Sequence, residues 1–335
     1  MELTGTQRIQ DKALDAILRP STWQEYVGQK KVKRNLKIAI TAARGRNEAL
    51  EHILIYGPAG LGKTTLAHII ADEMQANIRI TSGPAIERIG DLASLLTNLE
   101  SGDILFIDEA HRLPKLVGEI LYPAMETRTL DIILGKGAGA RTLQLDLPPF
   151  TLIAATTRAG LLTSPLRSRF GATYRLDFYE EEEIEQVLAR SALLMKIKAP
   201  AAALKRIARS SRATPRVANR LLKRARDLAQ VEGTGEVTDA IAQKTLTMLE
   251  VDERGLEETD RRILRAIGER FHGGPAGLQA IAAACAEEED TILDLYEPYL
   301  MQIGFLVRTP RGRVLAPLAY EHLGMTPPEQ PTIFS

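Results

Sequence analysis

Residues 57–64 read Gly-Pro-Ala-Gly-Leu-Gly-Lys-Thr, and this stretch decides the fold. It matches the phosphate-loop pattern G-x-x-x-x-G-K-[ST], in which glycines let backbone N–H groups surround a phosphate. The run HILIY at 52–56 precedes it and TTLAHIIADEM at 64–74 follows it, so the motif joins a predicted strand to a predicted helix whose N-terminus faces the same anion. The pattern therefore predicts a nucleoside-triphosphate site. The residues predicted to form it are Gly57, Gly60, Gly62, Lys63 and Thr64.

Five short apolar runs predict the strands of a parallel sheet. They are His52–Tyr56, Ile78–Thr81, Ile104–Ile107, Leu152–Ala155 and Thr173–Leu176. Each has strand length and mostly β-branched or leucine content, and helical stretches separate them. This alternation is typical of an α/β fold with helices covering the sheet and the functional edge at the carboxyl ends of the strands.

Two adjacent carboxylates follow the third run. Asp108 and Glu109 come directly after four apolar residues, which indicates that a buried strand delivers both charges to the edge of the sheet. One carboxylate beside a phosphate loop holds magnesium, usually through water, and a second one polarises the attacking water. The pair therefore predicts hydrolysis of ATP, with Asp108 at Mg²⁺ and Glu109 at the water. We interpret His111, in the same Asp-Glu-Ala-His string, as a residue that starts a helix.

Polar residues also follow the fourth run. Thr156 and Thr157 come directly after it, and either hydroxyl could orient the water or sense the γ-phosphate. The segment at 164–170 then supplies Arg167 and Arg169. Arginines at the rim of such a site neutralise charge in phosphoryl transfer, in the same subunit or from a neighbouring one. A surface salt bridge is the alternative for each of them.

One insertion interrupts the alternation and predicts a β-hairpin. The runs Leu130–Leu134 and Thr142–Leu147 flank the glycine-rich segment 135–139. Leu143 and Leu145 are two residues apart and therefore lie on one face of a strand. Because a protruding hairpin has no core of its own, we expect this pair to dock a partner. Packing of the hairpin onto the domain that carries it is the alternative.

Strand patterns stop after Asp177 and helical spacing takes over. Four helices are predicted, at Glu180–Lys196, Ala201–Ser210, Pro215–Val231 and Thr238–Leu249. Thr214 followed by Pro215 is a typical start for the third. An acidic stretch, Val251–Glu258, is a plausible linker.

The remaining residues predict a winged helix. Three helical stretches, at Thr259–Phe271, Leu278–Ala286 and Asp290–Ile303, precede two short apolar runs at 305–307 and 313–315. We therefore divide the chain into an ATPase domain at 1–179 with its hairpin at 130–147, an all-helical lid at 180–253 and a winged-helix domain at 254–335. The tail from Thr326 is predicted to be loose.

Three arginines lie in or beside the turn between the last two runs. They are Arg308, Arg311 and Arg313, and no acid lies between Glu297 and Glu321 to pair with them. We expect them to contact DNA phosphates, which position a protein without selecting a base sequence.

Composition restricts the class of protein. Hydrophobic residues make up 44% and charged residues 26% of the 335, which is typical of a globular chain of two or three domains. The 43 basic and 43 acidic residues cancel, so net charge indicates no partner. The single cysteine, Cys285, excludes an intramolecular disulfide framework and a multi-cysteine zinc site. No apolar run is long enough to span a membrane and no secretory signal is evident, so we expect a cytoplasmic protein without membrane contact.

Taken together, these motifs resemble those of the AAA+ ATPases and, within them, the RuvB family of Holliday-junction branch-migration motors. The resemblance runs from about Leu18 to Pro328. Its most specific strings are Arg19-Pro20, Tyr26–Gln29, Leu121–Glu126, Thr157–Gly160, Leu162–Arg167, Phe271–Pro275, Glu297–Leu300 and Arg308–Arg313. It implies a P-loop core, a helical lid and a C-terminal winged helix, and an ATP- and Mg²⁺-dependent motor that translocates duplex DNA in recombination and repair.

The resemblance also implies roles for residues of the nucleotide site. Leu18, Arg19 and Tyr179 would line the adenine pocket, and Lys63, Thr64 and Thr65 would hold phosphates and magnesium. Thr157 would be the first sensor of the γ-phosphate, Arg216 the second sensor, and Arg169 an arginine finger supplied to the ATP of the neighbouring subunit.

The implied partners are DNA and other proteins. Leu143 and Leu145 would dock a RuvA-type junction-binding protein, and Arg308 and Arg313 would contact the DNA backbone. The implied assembly is a homo-hexameric ring on the duplex arms of the junction, with a RuvC-type resolvase as a further candidate partner. The family often has a basic residue where the acidic run 287–290 lies here, so we carry no DNA contact over to Glu289.

Two other classes of protein fit parts of the pattern. A clamp-loader subunit typically has Ser-Arg-Cys at the finger, whereas this chain has Ser-Arg-Phe at 168–170. A sequence-specific DNA regulator switched by ATP would read bases with its recognition helix, but the candidate helix Asp290–Ile303 is acidic. ATPase stimulation by non-specific duplex DNA, as opposed to binding of one operator, would separate the motor from the regulator.

Overall fold

The structure is a computed structural model, and it describes residues 14–134, 141–233 and 235–327, with the side chains of 132–134 and 141–142 left out. The chain divides into two compact units. The first contains the described residues up to Gly57 together with Leu61–Asp177. The second contains Pro58–Gly60 and the described residues from Phe178 onward.

A five-stranded parallel sheet forms the centre of the first unit. Its strands are β1 (Ile53–Tyr56), β2 (Ile78–Ser82), β3 (Ile104–Asp108), β6 (Thr151–Thr156) and β7 (Ala172–Arg175), in the spatial order β2-β3-β6-β1-β7. This confirms the predicted parallel sheet, and each strand bound lies within one residue of the predicted one. The central strands β3 and β6 are almost wholly buried, whereas the edge strand β7 alternates between half-buried and exposed residues. Central strands covered on both faces need continuous apolar runs, which is why these runs were readable in the sequence.

Helices cover this sheet. In the described part of the first unit they include α1 (Lys30–Arg46), α2 (Lys63–Met74), α3 (Ile89–Thr97), α4 (Lys115–Glu126) and α5 (Ser164–Ser168), and a short helical segment at 14–18 precedes them. On α1 the buried residues Val32, Leu36, Ile40 and Ala43 form a single stripe, as expected for a helix with one face in solvent. Two further strands follow α4 and precede β6 in the chain, β4 (Thr129–Leu134) and β5 (Arg141–Asp146). They pair antiparallel as the predicted hairpin, and Leu130 is opposite Leu145. The predicted glycine-rich tip lies outside the described residues.

The second unit begins with four helices at the predicted positions. They are α6 (Glu181–Leu194), α7 (Ala201–Arg209), α8 (Pro215–Val231) and α9 (Asp239–Met248). Thr214 is the N-cap of α8, and its hydroxyl accepts a hydrogen bond from the Val217 N–H at 3.4 Å. The stretch interpreted as a linker is an ordered turn, since Leu256 is fully buried and the Asp252 carboxylate accepts the N–H groups of Arg254 and Leu256.

The winged-helix elements follow in the expected order. They are α10 (Glu258–Arg265) with a π-helical turn at Ala266–Arg270, α11 (Leu278–Cys285), α12 (Glu289–Thr291) with a π-helical turn at Ile292–Tyr296, α13 (Glu297–Gln302), β8 (Leu306–Thr309) and β9 (Gly312–Leu315). A last helix, α14 (Pro317–Leu323), was not predicted. Cys285 is buried in the core of these elements. In the described part of the chain, no helix combines the length and the apolar character that a bilayer crossing requires.

A buried ion pair holds together parts of the second unit. Arg212, just before α8, donates to the Asp260 carboxylate on α10 at 2.6 Å, and its guanidinium lies 4.9 Å from the centre of the Tyr299 ring. Burial raises the pKa of the Asp260 carboxyl above its usual value, and the charge of Arg212 opposes that shift. Removal of either partner would leave an uncompensated charge in the core.

Candidate functional site

The phosphate loop joins β1 to α2, and its glycines adopt conformations that other residues rarely adopt. The φ angles of Gly57, Gly60 and Gly62 are 146°, 83° and 92°. A Cβ on Gly57 would lie 2.4 Å from the carbonyl oxygen of Leu176, and a Cβ on Gly62 would lie 3.2 Å from the hydroxyl of Tyr26. The loop therefore turns as it does because these positions carry no side chain.

Lys63 points back into the loop that precedes it. Its side chain is buried, and Nζ donates a hydrogen bond to the carbonyl of Gly57 at 2.8 Å. A buried ammonium is costly unless oxygen atoms or an anion surround it. The loop, the ammonium and the N-terminus of α2 together form a site that favours a phosphate group.

Thr64 and Asp108 converge on one point although they are far apart in the sequence. The Thr64 hydroxyl donates to Asp108 Oδ2 at 3.1 Å, and Asp108 Oδ1 accepts the N–H of Glu109 at 2.9 Å. Hydroxyl and carboxylate oxygens suit Mg²⁺, which takes its remaining ligands from water and substrate phosphates. The described residues contain no cluster of three or more His, Cys, Asp and Glu that could hold a metal ion. The oxygen atoms of the Thr64–Asp108 pair fit a magnesium ion that is shared with a bound nucleotide. Thr65, the next residue of α2, is half-buried.

Glu109 begins a tight turn at the end of β3. Its φ is 50°, in the left-handed region, which only a minority of non-glycine residues adopt. Its side chain is 39% exposed, so water can reach the carboxylate. Gly83 permits the turn, because a Cβ there would lie 2.4 Å from the Glu109 carbonyl oxygen. The backbone N–H of Glu109 contacts Asp108, and its carboxylate is open to water, so the residue is placed as expected for a candidate water-polarising group.

The two threonines at the end of β6 have different environments. Thr156 is fully buried; its Oγ1 lies 2.8 Å from Nδ1 of His111 and accepts the N–H of Arg158 at 2.9 Å. Thr157 is half-buried and is the next residue along the chain. The Thr156 hydroxyl is engaged inside the protein, and Thr157 is the less buried of the two, so Thr157 remains the candidate for contact with a γ-phosphate.

The residues expected at the adenine belong to both units. In the first unit Leu18 is buried and Arg19 is exposed. Arg19 lies near α2, because its positive charge adds to burial in lowering the pKa of His68 on that helix. In the second unit Tyr179 is buried, and its N–H donates to the carbonyl of Ala213 at 3.0 Å.

Arg216 is the second residue of α8 and is exposed. Within the second unit it lies close to Gly60, since a Cβ on Gly60 would be 3.2 Å from the Cβ of Arg216. The N-terminus of α8 thus stands beside a residue of the phosphate loop.

Arg169 forms the surface salt bridge that the sequence analysis left open. Its Nη2 donates to Glu126 Oε2 at 2.9 Å and its Nη1 donates to the carbonyl of Pro165 at 2.8 Å. The guanidinium also lies 4.8 Å from the centre of the Tyr122 ring. Arg167, on α5, is exposed and donates to the Ser164 hydroxyl. Arg169 is therefore held in one place at the surface of the first unit.

The structure corrects the expectation for Arg313. This side chain is buried, and its Nε and Nη2 donate to Glu297 Oε2 at 3.1 and 2.9 Å. The inference that no acid could pair with the wing arginines was wrong, because Glu297 is brought underneath the ribbon by the fold. Arg308 and Arg311 are exposed, and Nη1 of Arg308 lies 4.0 Å from the other Glu297 oxygen. Arg313 therefore stabilises the wing, and only Arg308 and Arg311 present their charges to solvent.

The two hairpin leucines also differ. Leu143 is exposed, whereas Leu145 is half-buried and packs against the core of the first unit, which includes Leu130 and Leu147. The base of the hairpin therefore belongs to the domain core, as the alternative interpretation held, and Leu143 offers the exposed apolar surface.

Two residues near the candidate site had no predicted role in it. His111 was interpreted only as a residue that starts a helix, and it does lie in a short 3₁₀-helix at Ala110–Arg112, but both of its ring nitrogens face site residues. Glu126 was given no role, although it binds the candidate finger. The Asp-Glu-Ala-His string was a signal for His111, whereas nothing in the sequence pairs Glu126 with Arg169.

A cleft of about 840 Å³ lies elsewhere in the first unit. Its lining includes Ala49, Asn77 and Asp103, which precede β1, β2 and β3. It therefore opens at the amino ends of the strands, at the edge opposite to the phosphate loop, and it is not part of the nucleotide site.

Family models match nearly the whole chain in three consecutive segments. Residues 18–176 match the Holliday junction DNA helicase RuvB P-loop domain, residues 179–252 the RuvB AAA lid domain, and residues 253–324 the RuvB C-terminal winged helix domain.

Individual relatives agree with these matches. The chain is 58% identical to the Holliday junction branch migration complex subunit RuvB of Chloroflexus aggregans over 320 residues, which is 96% of this chain and 91% of that protein. It is also 58% identical to the protein of the same name from Dehalococcoides mccartyi, over 96% of this chain and 93% of that one. The solved structure of the Thermotoga maritima RuvB Holliday junction branch migration motor is 50% identical, with a TM-score of 0.86 over 93% of this chain and 100% of that chain.

Proposed function

The chain belongs to the RuvB family of AAA+ ATPases, and we propose that it uses ATP hydrolysis to translocate duplex DNA and so drives branch migration of Holliday junctions. One arrangement supports this proposal: in a chain that also has a winged helix, the carboxyl ends of three neighbouring strands carry residues of the candidate nucleotide site. The phosphate loop after β1, Asp108 at the end of β3 and Thr156 at the end of β6 follow neighbouring strands. Nucleotide binding at this edge is what the P-loop fold provides.

Within this site we assign each residue one task. The loop glycines, Lys63 and Thr65 hold the phosphates, and Thr64 with Asp108 holds Mg²⁺, which supplies charge neutralisation when it is bound. Glu109 polarises a water molecule and accepts its proton while the water oxygen bonds to the γ-phosphorus and the bond to the β–γ bridging oxygen breaks. Thr157 and Arg216 sense the γ-phosphate, and Leu18, Arg19 and Tyr179 line the adenine pocket.

Arg169 completes the site of a neighbouring subunit in this proposal. Its position on the surface of the first unit, beside Tyr122 and Glu126, supports a role at an interface between copies of the chain. The finger would exchange Glu126 for the γ-phosphate of the neighbour. We propose a homo-hexameric ring around DNA, since in a closed ring each Arg169 can face the nucleotide site of the next subunit.

Candidate partners are inferred from the names of the relatives and from the exposed side chains of this chain. The relatives are named as subunits of a branch migration complex, so we propose that a RuvA-type junction-binding protein docks on the hairpin at Leu143. Duplex arms of the junction would contact Arg308 and Arg311 of the wing, and a RuvC-type resolvase remains a further candidate partner. The three matched segments support our domain boundaries near 179 and 253. With DNA and ATP as substrates, we place the proposed activity in the cytoplasm.

The decisive experiment is a branch-migration assay. The full-length chain, a RuvA protein and a synthetic four-way junction with labelled arms are mixed with ATP, and the released duplex products are measured. We expect products only with ATP, and none with a non-hydrolysable analogue. A chain that hydrolyses ATP on duplex DNA but never moves the junction would contradict the proposed function and would leave the clamp-loader alternative in place.

A further inference from the structure

The side chain of His111 connects the end of β6 to the carboxylate of Glu109. Its Nδ1 lies 2.8 Å from Oγ1 of Thr156, and its Nε2 lies 3.7 Å from Oε2 of Glu109. The imidazole is 5% exposed, so solvent does not compete for these contacts. Nothing in the proposed ATPase cycle has so far required this residue.

The hydrogen-bond pattern around Thr156 favours one arrangement of protons. The Thr156 hydroxyl accepts the N–H of Arg158 at 2.9 Å and has a single proton to donate. If that proton goes to Nδ1 of His111, the neutral ring carries its own proton on Nε2, where it faces the Glu109 carboxylate. In the other neutral tautomer a lone pair on Nε2 would face the carboxylate, which is unfavourable. We therefore assign the Nε2–H tautomer on the basis of the network.

Both ends of this connection are fixed by the backbone. Thr156 is fully buried in β6, between β3 and β1. His111 lies in the 3₁₀-helix that begins after the left-handed Glu109, and the N–H of Arg112 donates to the Glu109 carbonyl at 2.9 Å. A displacement of the β6 end would therefore move the imidazole relative to the carboxylate.

We propose that His111 is a positioning residue for ATP hydrolysis. Its Nε2–H orients the Glu109 carboxylate toward the attacking water, and its bond to Thr156 makes this orientation depend on the strand end from which Thr157 and Arg158 follow. At 3.7 Å the Nε2–carboxylate contact is longer than a hydrogen bond, and catalytic contacts of this kind shorten when substrate is bound. The inference rests on the proposed role of Glu109.

Two substitutions of His111 test separately its contact with Glu109 and its hydrogen bond to Thr156. In His111→Gln the side-chain amide nitrogen takes the place of Nε2, and in His111→Asn an amide atom takes the place of Nδ1 while the contact with Glu109 is lost. We expect His111→Asn to lower kcat roughly tenfold or more, but less than the ~10²–10⁴-fold that loss of a general base costs. His111→Gln should recover most of that loss. KM for ATP and the binding of a non-hydrolysable analogue should stay at the parent values in both.

A second pair of substitutions tests the other end without touching His111. Thr156→Val keeps the shape of the side chain but removes the hydroxyl, and Thr156→Ser keeps the hydroxyl. We expect kcat to fall in Thr156→Val with KM unchanged, and to recover in Thr156→Ser. This pair keeps the proposal falsifiable if a His111 variant is poorly folded.

Combining His111→Asn with a Glu109→Gln background shows whether the effect of His111 on hydrolysis depends on the Glu109 carboxylate. In that background His111→Asn should have no further effect on residual hydrolysis, because residues that act as a unit are not additive. The inference is wrong if His111→Asn hydrolyses ATP at the parent rate, or if its effect persists in full in Glu109→Gln. Rapid hydrolysis by Glu109→Gln alone would instead refute the proposed role of Glu109.

Discussion

Arg169 donates from both Nε and Nη2 to one carboxylate oxygen of Glu126, at 3.2 and 2.9 Å, within a single subunit. An arginine that serves the neighbouring active site must leave this partner. Because the Glu126 side chain is 62% exposed, the salt bridge is weak and can be exchanged for a phosphate at small cost. The contact therefore holds the guanidinium in position and does not prevent its transfer.

We expect Arg169→Ala to bind nucleotide normally and to hydrolyse it more slowly by roughly 10³-fold or more, the usual value of an arginine finger. Nucleotide titration and steady-state ATPase assays measure the two effects. Arg167→Ala is the matched control, since Arg167 is exposed in the same segment and should leave kcat near the parent value.

Mixed assemblies show whether the finger acts between subunits. We expect Lys63→Ala and Arg169→Ala chains each to hydrolyse ATP very slowly, but a mixture should recover part of the ATPase activity where an intact loop meets an intact finger. If no mixing ratio recovers activity although light scattering shows mixed assemblies, Arg169 acts within its own subunit.

Removal of the Glu109 carboxylate should separate binding from chemistry. Glu109→Gln retains Lys63, Thr64 and Asp108, so we expect normal ATP affinity and a kcat reduced by roughly 10²–10⁴-fold. Lys63→Ala should instead lose affinity, because it removes the buried charge that faces the phosphates. Equilibrium titration with a fluorescent nucleotide and single-turnover hydrolysis distinguish the two variants. Parent-like turnover in Glu109→Gln would exclude it as the water-polarising group.

Local sequence patterns were sufficient to predict the parallel sheet and the residues of the candidate nucleotide site that lie at its strand ends. The phosphate loop, Asp108 and Glu109 each lie at the end of an apolar run, and parallel strands bring such ends to one edge. The pairing of Arg169 with Glu126 and of His111 with Thr156 joins residues more than 40 positions apart. No periodicity or composition in either segment indicates these contacts.

One missed element did have a local signal. Helix α14 starts with Pro317 in its first turn and ends at Gly324, whose φ is 64°. Proline at the start and glycine just after the end is a recognised helix pattern, which the nearby prolines of the tail obscured. The burial of Arg313 had no such signal, because the sequence places Arg313 in the last short run but does not show that the fold brings Glu297 against it.

The two hairpin leucines should respond differently to the same substitution. Leu143→Ser changes an exposed side chain, so we expect the free energy of unfolding to change by less than about 0.5 kcal/mol while affinity for a RuvA protein falls. Leu145→Ser removes packing against the core of the first unit and should cost about 1–2 kcal/mol, below the range for a fully buried leucine. Denaturant unfolding and a pull-down with RuvA measure these quantities. Equal loss of partner binding in both, without loss of stability, would show that both leucines face the partner.

The wing arginines should also divide into two classes. Arg308 and Arg311 are exposed, and charges at an exposed turn contact phosphates without base selection. Replacing both by Ala should weaken binding of all duplex sequences alike and reduce the salt slope by about one unit per lost contact. Unfolding and nucleotide binding should not change. Fluorescence anisotropy on unrelated duplexes at several salt concentrations tests this, and a loss confined to one sequence would favour the regulator class.

Arg313→Ala should instead act on stability. Glu297 is almost completely buried, and without Arg313 it loses both of its close hydrogen bonds and keeps only the exposed Arg308 at 4.0 Å, so we expect unfolding to become easier by about 3 kcal/mol. Glu297→Gln in the same chain removes the stranded charge and should restore part of that loss. If Arg313→Ala has the parent's stability but binds duplex DNA as weakly as the double variant of Arg308 and Arg311, the ion pair must open on DNA, and Arg313 would then be a phosphate contact after all.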